Sequence, residues 1–284
     1  MQQLLSRRLF LNQAFTASAA AALFPVLRSY AAESAGPGLD FPLVDCHVHL
    51  DNSTLEKVLA LSQEQGVKYG IVEHAGTKEN QYPIVLSNDE EMKTYLAKLK
   101  GKPVFKGIQA EWLDWAKCFS PEVLGQLDFV LSDAMTIRNE AGHRTKMWER
   151  GFVIGERQAF MDRYVDWHVE IMATEPLDIF ANLTWLPDDL KADYNALWTE
   201  PRMEKIIRAA LKYSVALEIS GSYQIPKLAF LKLAKAAGAK FTFGSNGRYP
   251  NMGKLSYAIE MARRLELKSA DMFVPSPRAK RQKN

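Results

Sequence analysis

Short apolar runs with a two-residue alternation recur along the chain, separated by stretches whose apolar positions fall three and four apart. The alternating runs cover 43–50, 68–75, 103–112, 128–135, 177–185, 214–221 and 240–247 and predict seven strands. Helices are expected between them. Ser53 and Glu56 form a capping box ahead of Leu55, Val58 and Leu59, with Gly66 as the stop. Ser87 with Glu90 repeats the device before Met92, Tyr95, Leu96 and Leu99. Pro201 suits a first helical turn, and Met203, Ile206, Ile207, Ala210 and Leu211 follow at helical spacing. Two more helices are expected over 226–237 and 255–265. Strand–helix units in series make a parallel sheet with helices outside, and seven of them close into an α/β fold, a distorted (β/α)7 barrel of the TIM-like type. An open doubly wound sheet is the alternative, but no glycine-rich phosphate loop follows the first strand.

The same alternation sorts side chains by face. On the first strand Val44, Cys46 and Val48 should meet helices, leaving Asp45, His47 and His49 on the inner side. Later strands send in His74, then Gln109 and Glu111, Asn182 and Thr184, Glu218 and Ser220, and finally Asn246 and Arg248. On the fourth strand Phe129 and Leu131 are expected outside and Ser132 and Ala134 inside, so Asp133 reaches the mouth only if the strand ends before it. Such a ring of polar groups is costly to bury unless it is hydrogen-bonded or holds an ion. Two imidazoles on one strand face stand about 6.5–7 Å apart at the backbone and can converge on one metal. His47, His49, His74 and Glu111 are therefore candidate ligands of one divalent ion, with a second ion or a metal-free polar core as the alternatives. Imidazole with carboxylate suits Zn, Mn or Fe. Glu218 remains either as a general acid or base or as a buried acceptor. Arg248 can clamp a phosphate or carboxylate, or pair with Glu111 or Glu218 in place of a metal charge. Gln109, Asn182 and Asn246 are candidate substrate contacts.

Composition removes some functions. The 284 residues carry 36 basic and 33 acidic side chains. Three of the basic ones (Arg7, Arg8, Arg28) precede residue 32 and four (Arg278, Lys280, Arg281, Lys283) close the chain. The remaining body is thus acidic by four, which disfavours a nucleic-acid groove. Ser6-Arg7-Arg8-Leu9-Phe10-Leu11 and the apolar stretch 14–27 read as a twin-arginine-type signal peptide over 1–31, too short for a membrane anchor. The expected partners are thus the twin-arginine export machinery and a small-molecule substrate, with a periplasmic or extracellular destination. A linker over 32–40, a barrel over 41–275 and a basic, disordered tail over 276–284 complete the division. The long connection 136–176 reads as a charged helix with a share in a lid, and Trp185, Tyr194 and Trp198 either stack on a sugar ring or fill the core.

Asp45-Cys46-His47-Val48-His49, Glu73-His74, Gly107-Ile108-Gln109-Ala110-Glu111, Leu217-Glu218-Ile219 and Phe243-Gly244-Ser245-Asn246-Gly247-Arg248 together resemble the PHP (polymerase and histidinol phosphatase) family over most of residues 41–270. The resemblance implies a seven-stranded barrel with metals at the strand ends and hydrolysis of phosphate esters. This chain departs from the family pattern where Asn246 and Arg248 replace a metal-binding Asp and His, and where Ala134 and Asn182 replace histidines. Gln109 occupies the place of a bridging Glu. Those replacements exclude a three-metal site. The expected activity is a metal-dependent hydrolase of a small anionic or carbohydrate-like ester. The alternatives are a barrel that binds a ligand without turnover and a metal-dependent sugar isomerase or lyase.

Overall fold

The computed structural model describes residues 35–78, 81–111, 115–139, 142 and 144–281; the expected signal peptide and His143 lie outside them. The chain divides into two units, 1–42 and 43–284. In the first, residues 35–42 form a turn in which Gly36 N–H donates to Phe41 O at 3.0 Å. Among the described residues no helix is long and apolar enough to cross a membrane.

Among its described residues the second unit has ten strands: β1 Val44–Val48, β2 Lys68–Ala75, β3 Val85–Leu86, β4 Phe105–Ala110, β5 Phe129–Asp133, β6 Thr136–Arg138, β7 Arg144–Lys146, β8 Ile179–Ala181, β9 Ala216–Ser220 and β10 Phe241–Gly244. Seven of them close a parallel barrel in the order β1-β2-β4-β5-β8-β9-β10, and β10 returns to β1. β1 stays beside β2 only as far as the Val48–Ile71 pair, after a register shift. β3 then takes its place, pairing Val85 with His74. That exchange is the barrel's distortion, and it frees the end of β1 next to His74.

The helices stand close to their expected positions. α1 (Leu55–Gln65) is capped by Thr54, whose hydroxyl accepts from Lys57 N–H, and α2 (Asp89–Leu99) by Asn88, which accepts from Glu91 N–H. Both starts lie one residue beyond the expected Ser53 and Ser87, because the first oxygen placed to reach an open helical N–H belongs to the next residue. The 136–176 connection contains the β6–β7 hairpin and then an 18-residue helix, Arg157–Thr174, so its first part is not helical. Of the apolar face expected on Glu200–Tyr213, Leu211 is exposed while Met203, Ile206, Ile207 and Ala210 are buried. Residues 276–281, expected in a disordered tail, include a helical turn, Arg278–Arg281, whose two arginines both pair with Asp178.

The fourth-strand face assignment is corrected. A methyl group at Gly70 or Gly107 would lie 2.8 or 2.4 Å from the Phe129 ring, so that ring fills the space the two glycines leave. Phe129 therefore points into the barrel, and by alternation Leu131 and Asp133 follow it. Ser132 belongs to the other face, where its hydroxyl accepts from Arg144. The expectation failed because an apolar residue was assigned to the helix layer. A barrel's interior is itself packed with side chains, and this one uses an aromatic ring as its floor.

Candidate metal centre and adjoining cavity

At the top of the barrel β1 delivers three polar side chains in alternation. Asp45, the deepest, accepts from Ser245 N–H (2.9 Å), Ser245 Oγ (2.5 Å), Gly253 N–H (2.9 Å) and His47 N–H (3.1 Å), tying β1 to the loop after β10. Burial raises its carboxyl to about 6 against those bonds. Its role is structural.

His47 stands next and faces oxygen on both sides. Its Nδ1 lies 2.8 Å from Glu218 Oε2 and its Nε2 3.0 Å from Gln109 Oε1. Gln109 donates onward from its amide nitrogen to Glu111 Oε1 at 2.9 Å, so its oxygen is the acceptor towards His47. With two acceptors the ring is held as the imidazolium. Burial, the largest single influence, lowers the His47 pKa, but Glu218, Asp133 and Gln109 together outweigh it and the net shift is upward. Gly244 makes this contact possible, since a methyl group there would sit 2.1 Å from Glu218 Oε2. Glu218 Oε1 accepts from Asn182 N–H at 3.1 Å, and Asn182 donates from its amide to Asp133 Oδ2 at 2.9 Å. Asn182 reaches this position with φ of 51°, just past the end of β8. Thr184 (φ 66°) has already left the strand: its hydroxyl accepts from Tyr194 and its carbonyl from Trp198.

His49 differs. Both its ring nitrogens are buried and without a hydrogen bond. Burial first, and the neighbouring His74 next, push its pKa well below the usual imidazole value. His74 donates from Nδ1 to Glu111 Oε1 at 2.6 Å, which leaves Nε2 as an unshared lone pair, buried and unbonded. Asp51 keeps Oδ1 free in the same way, while Oδ2 accepts from Arg248 Nε at 3.0 Å. One ligating atom from each of His49, Asp51 and His74 falls within 4.8 Å of the others. The His74 and His49 rings are 4.8 Å apart, and Tyr82 stacks on His74 at 3.6 Å.

These donors fit a metal ion on the structure's own terms. Four buried heteroatoms lack partners in one place, which is expensive unless an ion satisfies them. An imidazole whose Nδ1–H is held by a carboxylate also has the tautomer and orientation that a metal ligand requires. Of the four expected ligands, the structure brings His49 and His74 to this cluster. Glu111 braces His74, and His47 is saturated by Glu218 and Gln109. Asp51 was missed. The signal for it was available, because His47, His49 and Asp51 continue one alternation, although the run was read as ending at residue 50. Neighbouring Glu73, raised to about 8 chiefly by burial and then by Asp51, accepts from Leu50 N–H and braces the same turn.

A cavity of about 360 Å³ opens beside the cluster. Its walls include His74, Gln109 and Asp133 on the barrel side and Asn246, Arg248 and Tyr223 at the rim. Burial raises the Asp133 carboxyl to about 6. Arg248 pairs with Asp51, not with Glu111 or Glu218, because its loop sets it outside the barrel ring. It also donates from Nη1 to Asn246 Oδ1 at 3.2 Å.

No family profile and no curated protein matches this sequence. Solved structures do. A histidinol phosphate phosphatase from Lactococcus lactis subsp. lactis Il1403, solved with zinc, L-histidinol and phosphate, superposes with a TM-score of 0.62 at 14% identity, covering 84% of this chain and 98% of its own. An HpcH/HpaI aldolase from Desulfitobacterium hafniense DCB-2 (TM-score 0.36, 13% identity, 79% and 92% covered) and a citrate lyase from Burkholderia xenovorans LB400 (0.39, 9%, 82% and 80%) overlap too weakly to bear on the argument. At these identities the first likeness speaks for the fold.

Proposed function

We propose that this chain is a metal-dependent hydrolase of the PHP type, exported, and acting on a phosphate or comparable ester of a small anionic or carbohydrate-like molecule. The observation that carries the reading is the convergence of unbonded nitrogens of His49 and His74 with Asp51 Oδ1, next to an open cavity. Those three residues would hold one divalent ion, of the Zn, Mn or Fe class. Such an ion supplies Lewis-acid polarisation of an ester and acidifies water near neutral pH.

The chain's own residues then have separate roles. Glu111 fixes the His74 ring, and the Glu218–His47–Gln109 series fixes Glu111, so Glu218 is a positioning residue. Arg248, anchored on Asp51 and Asn246, offers its remaining guanidinium edge to an anionic oxygen. Asp133 lines the cavity with a carboxyl near 6, so it can hold a proton for a leaving alkoxide at mildly acid to neutral pH. Protein purified without chelator should carry about one transition-metal equivalent and hydrolyse p-nitrophenyl phosphate. Less than about a tenth of an equivalent would contradict the metal reading. Asp133→Asn should keep the metal and lower kcat by about 10²-fold or more. Unchanged kcat would remove Asp133 from the chemistry.

The ion pair of Arg248 with Asp51 favours a second reading, in which the guanidinium stands in for metal charge and the barrel binds a ligand without turnover. Metal-free protein that still binds inorganic phosphate would support it.

A further inference from the structure

The cavity carries a second chemistry besides its polar floor. Trp148, Trp185, Tyr223 and Tyr82 line it together with Lys191 and Arg248. Two of these aromatics stand well out in solvent, Trp148 at 43% and Tyr223 at 40% exposure. Packing within the protein does not account for large rings left open at the mouth of a pocket. Exposed aromatic faces around a concave site are the feature that stacking ligands use.

The cations are interleaved with the rings. Lys146 Nζ lies 4.0 Å from the centroid of Tyr82 and 5.9 Å from that of Trp148, and Lys191 Nζ lies 5.9 Å from that of Trp185. Both lysines also have carboxylate partners, Lys146 with Glu149 at 3.8 Å and Lys191 with Asp188 at 2.5 Å, so the wall sets paired charges beside its rings. The guanidinium edge of Arg248 left over from Asp51 and Asn246 is the group an anion carried on a ring would meet. Between wall and floor stand the Asp133 carboxylate, the Gln109 amide and the Asn246 amide, each already bonded inside the protein and each keeping a further lone pair or N–H for a ligand. Flat aromatic ligands need few such partners, whereas a ring bearing several hydroxyls needs them along its whole edge. About 360 Å³ is near the lower end of the range for small-molecule sites, so the occupant is monomeric rather than a polymer segment.

We infer that the cavity recognises a cyclic sugar monophosphate, with its phosphate towards Arg248 and the metal cluster and its ring against Trp148 and Tyr223. The inference rests on the anion-binding half of the function proposed above and names the group to which the ester is joined.

The test is binding, read by calorimetry and tryptophan fluorescence on the full-length protein as purified and after metal removal. The probes are glucose 1-phosphate, glucose 6-phosphate, glycerol 3-phosphate, phenyl phosphate and inorganic phosphate. At least one hexose phosphate should bind about ten-fold or more tightly than glycerol 3-phosphate and inorganic phosphate. Trp148→Ala and Tyr223→Ala should each weaken it about ten-fold. They should leave inorganic phosphate binding and Tm unchanged, because both side chains are exposed. Tyr223→Phe should retain the preference. Equal affinity for cyclic and acyclic phosphates, tighter binding of phenyl phosphate than of either hexose phosphate, or indifference to both alanine variants would overturn the inference. Failure of the enzymatic reading looks different: hexose phosphate would bind with ring preference, yet no probe would be hydrolysed at any metal loading. Hydrolysis without ring preference would leave the enzyme standing and remove the sugar.

Discussion

His47 and His49 leave the same strand two residues apart, and both are fully buried. His47 has an acceptor on each ring nitrogen and sits inside a hydrogen-bonded series that runs from Asp133 through Asn182 and Glu218 to Gln109, Glu111 and His74. Neither ring nitrogen of His49 makes a hydrogen bond, and Asp51 and His74, which share its cluster, also present unbonded atoms. A buried polar group is tolerated for one of two reasons, internal satisfaction or an outside ligand, and the barrel places one of each side by side. Residue type and spacing were the same in both cases. The neighbours decided the outcome.

The largest test of this contrast is removal of the Glu218 carboxylate. Glu218→Ala would strand the His47 charge and the Asn182 N–H in the barrel centre. It should cost about 3–5 kcal/mol in denaturant unfolding of metal-free protein. His49→Leu, measured alongside, should cost little or stabilise, since it removes a group that had no partner. Equal losses in the two variants would erase the distinction.

Metal addition probes the other half. At about a hundred-fold excess over its Kd, a divalent ion bound only by the folded state should add about 2.7 kcal/mol, visible as a rise in Tm. His49→Leu and His74→Ala should abolish that rise. If His74→Ala keeps it in full, the ion is bound elsewhere.

A smaller effect follows from protonation. His49 is held neutral in the fold, its pKa depressed first by burial, whereas the unfolded chain takes up a proton near 6.5. Stability from this residue is thus complete above about pH 6.5 and is lost as the pH falls below it, by at most about 1.4 kcal/mol per pH unit. Metal-free wild type and His49→Gln compared by unfolding at pH 7.5 and 5.5 should differ in that slope, the variant being flatter. Identical slopes would mean that His49 is as easily protonated inside the barrel as outside it.

Much of the site could be read in one dimension. Alternation identified His47, His49, His74, Gln109, Glu111, Asn182, Glu218 and Arg248 as inward or mouth positions, and the structure gathers them at one end of the barrel. Alternation is a local property of an extended backbone, so it survives in the sequence. It failed where the backbone stopped being regular. β8 ends at Ala181, so Thr184 left the site, and the β1 alternation carried on past its strand to Asp51. It also failed where a residue's environment lay far along the chain. Phe129 turned inward because Gly70 and Gly107, 59 and 22 positions away, left it room.

The sequence alone fixed the architecture, since seven strand–helix alternations with helical stops and turns admit few closed arrangements, and it fixed which kinds of side chain line the mouth. Tertiary structure decided which of those groups are spent on one another and which remain free. Glu218 reaches His47 across 171 positions and Arg248 reaches Asp51 across 197. Partnerships over such separations depend on ångström-scale placement by the closed sheet, which local propensity does not encode. The sheet's closure leaves His49, Asp51 and His74 with unbonded atoms facing a common point.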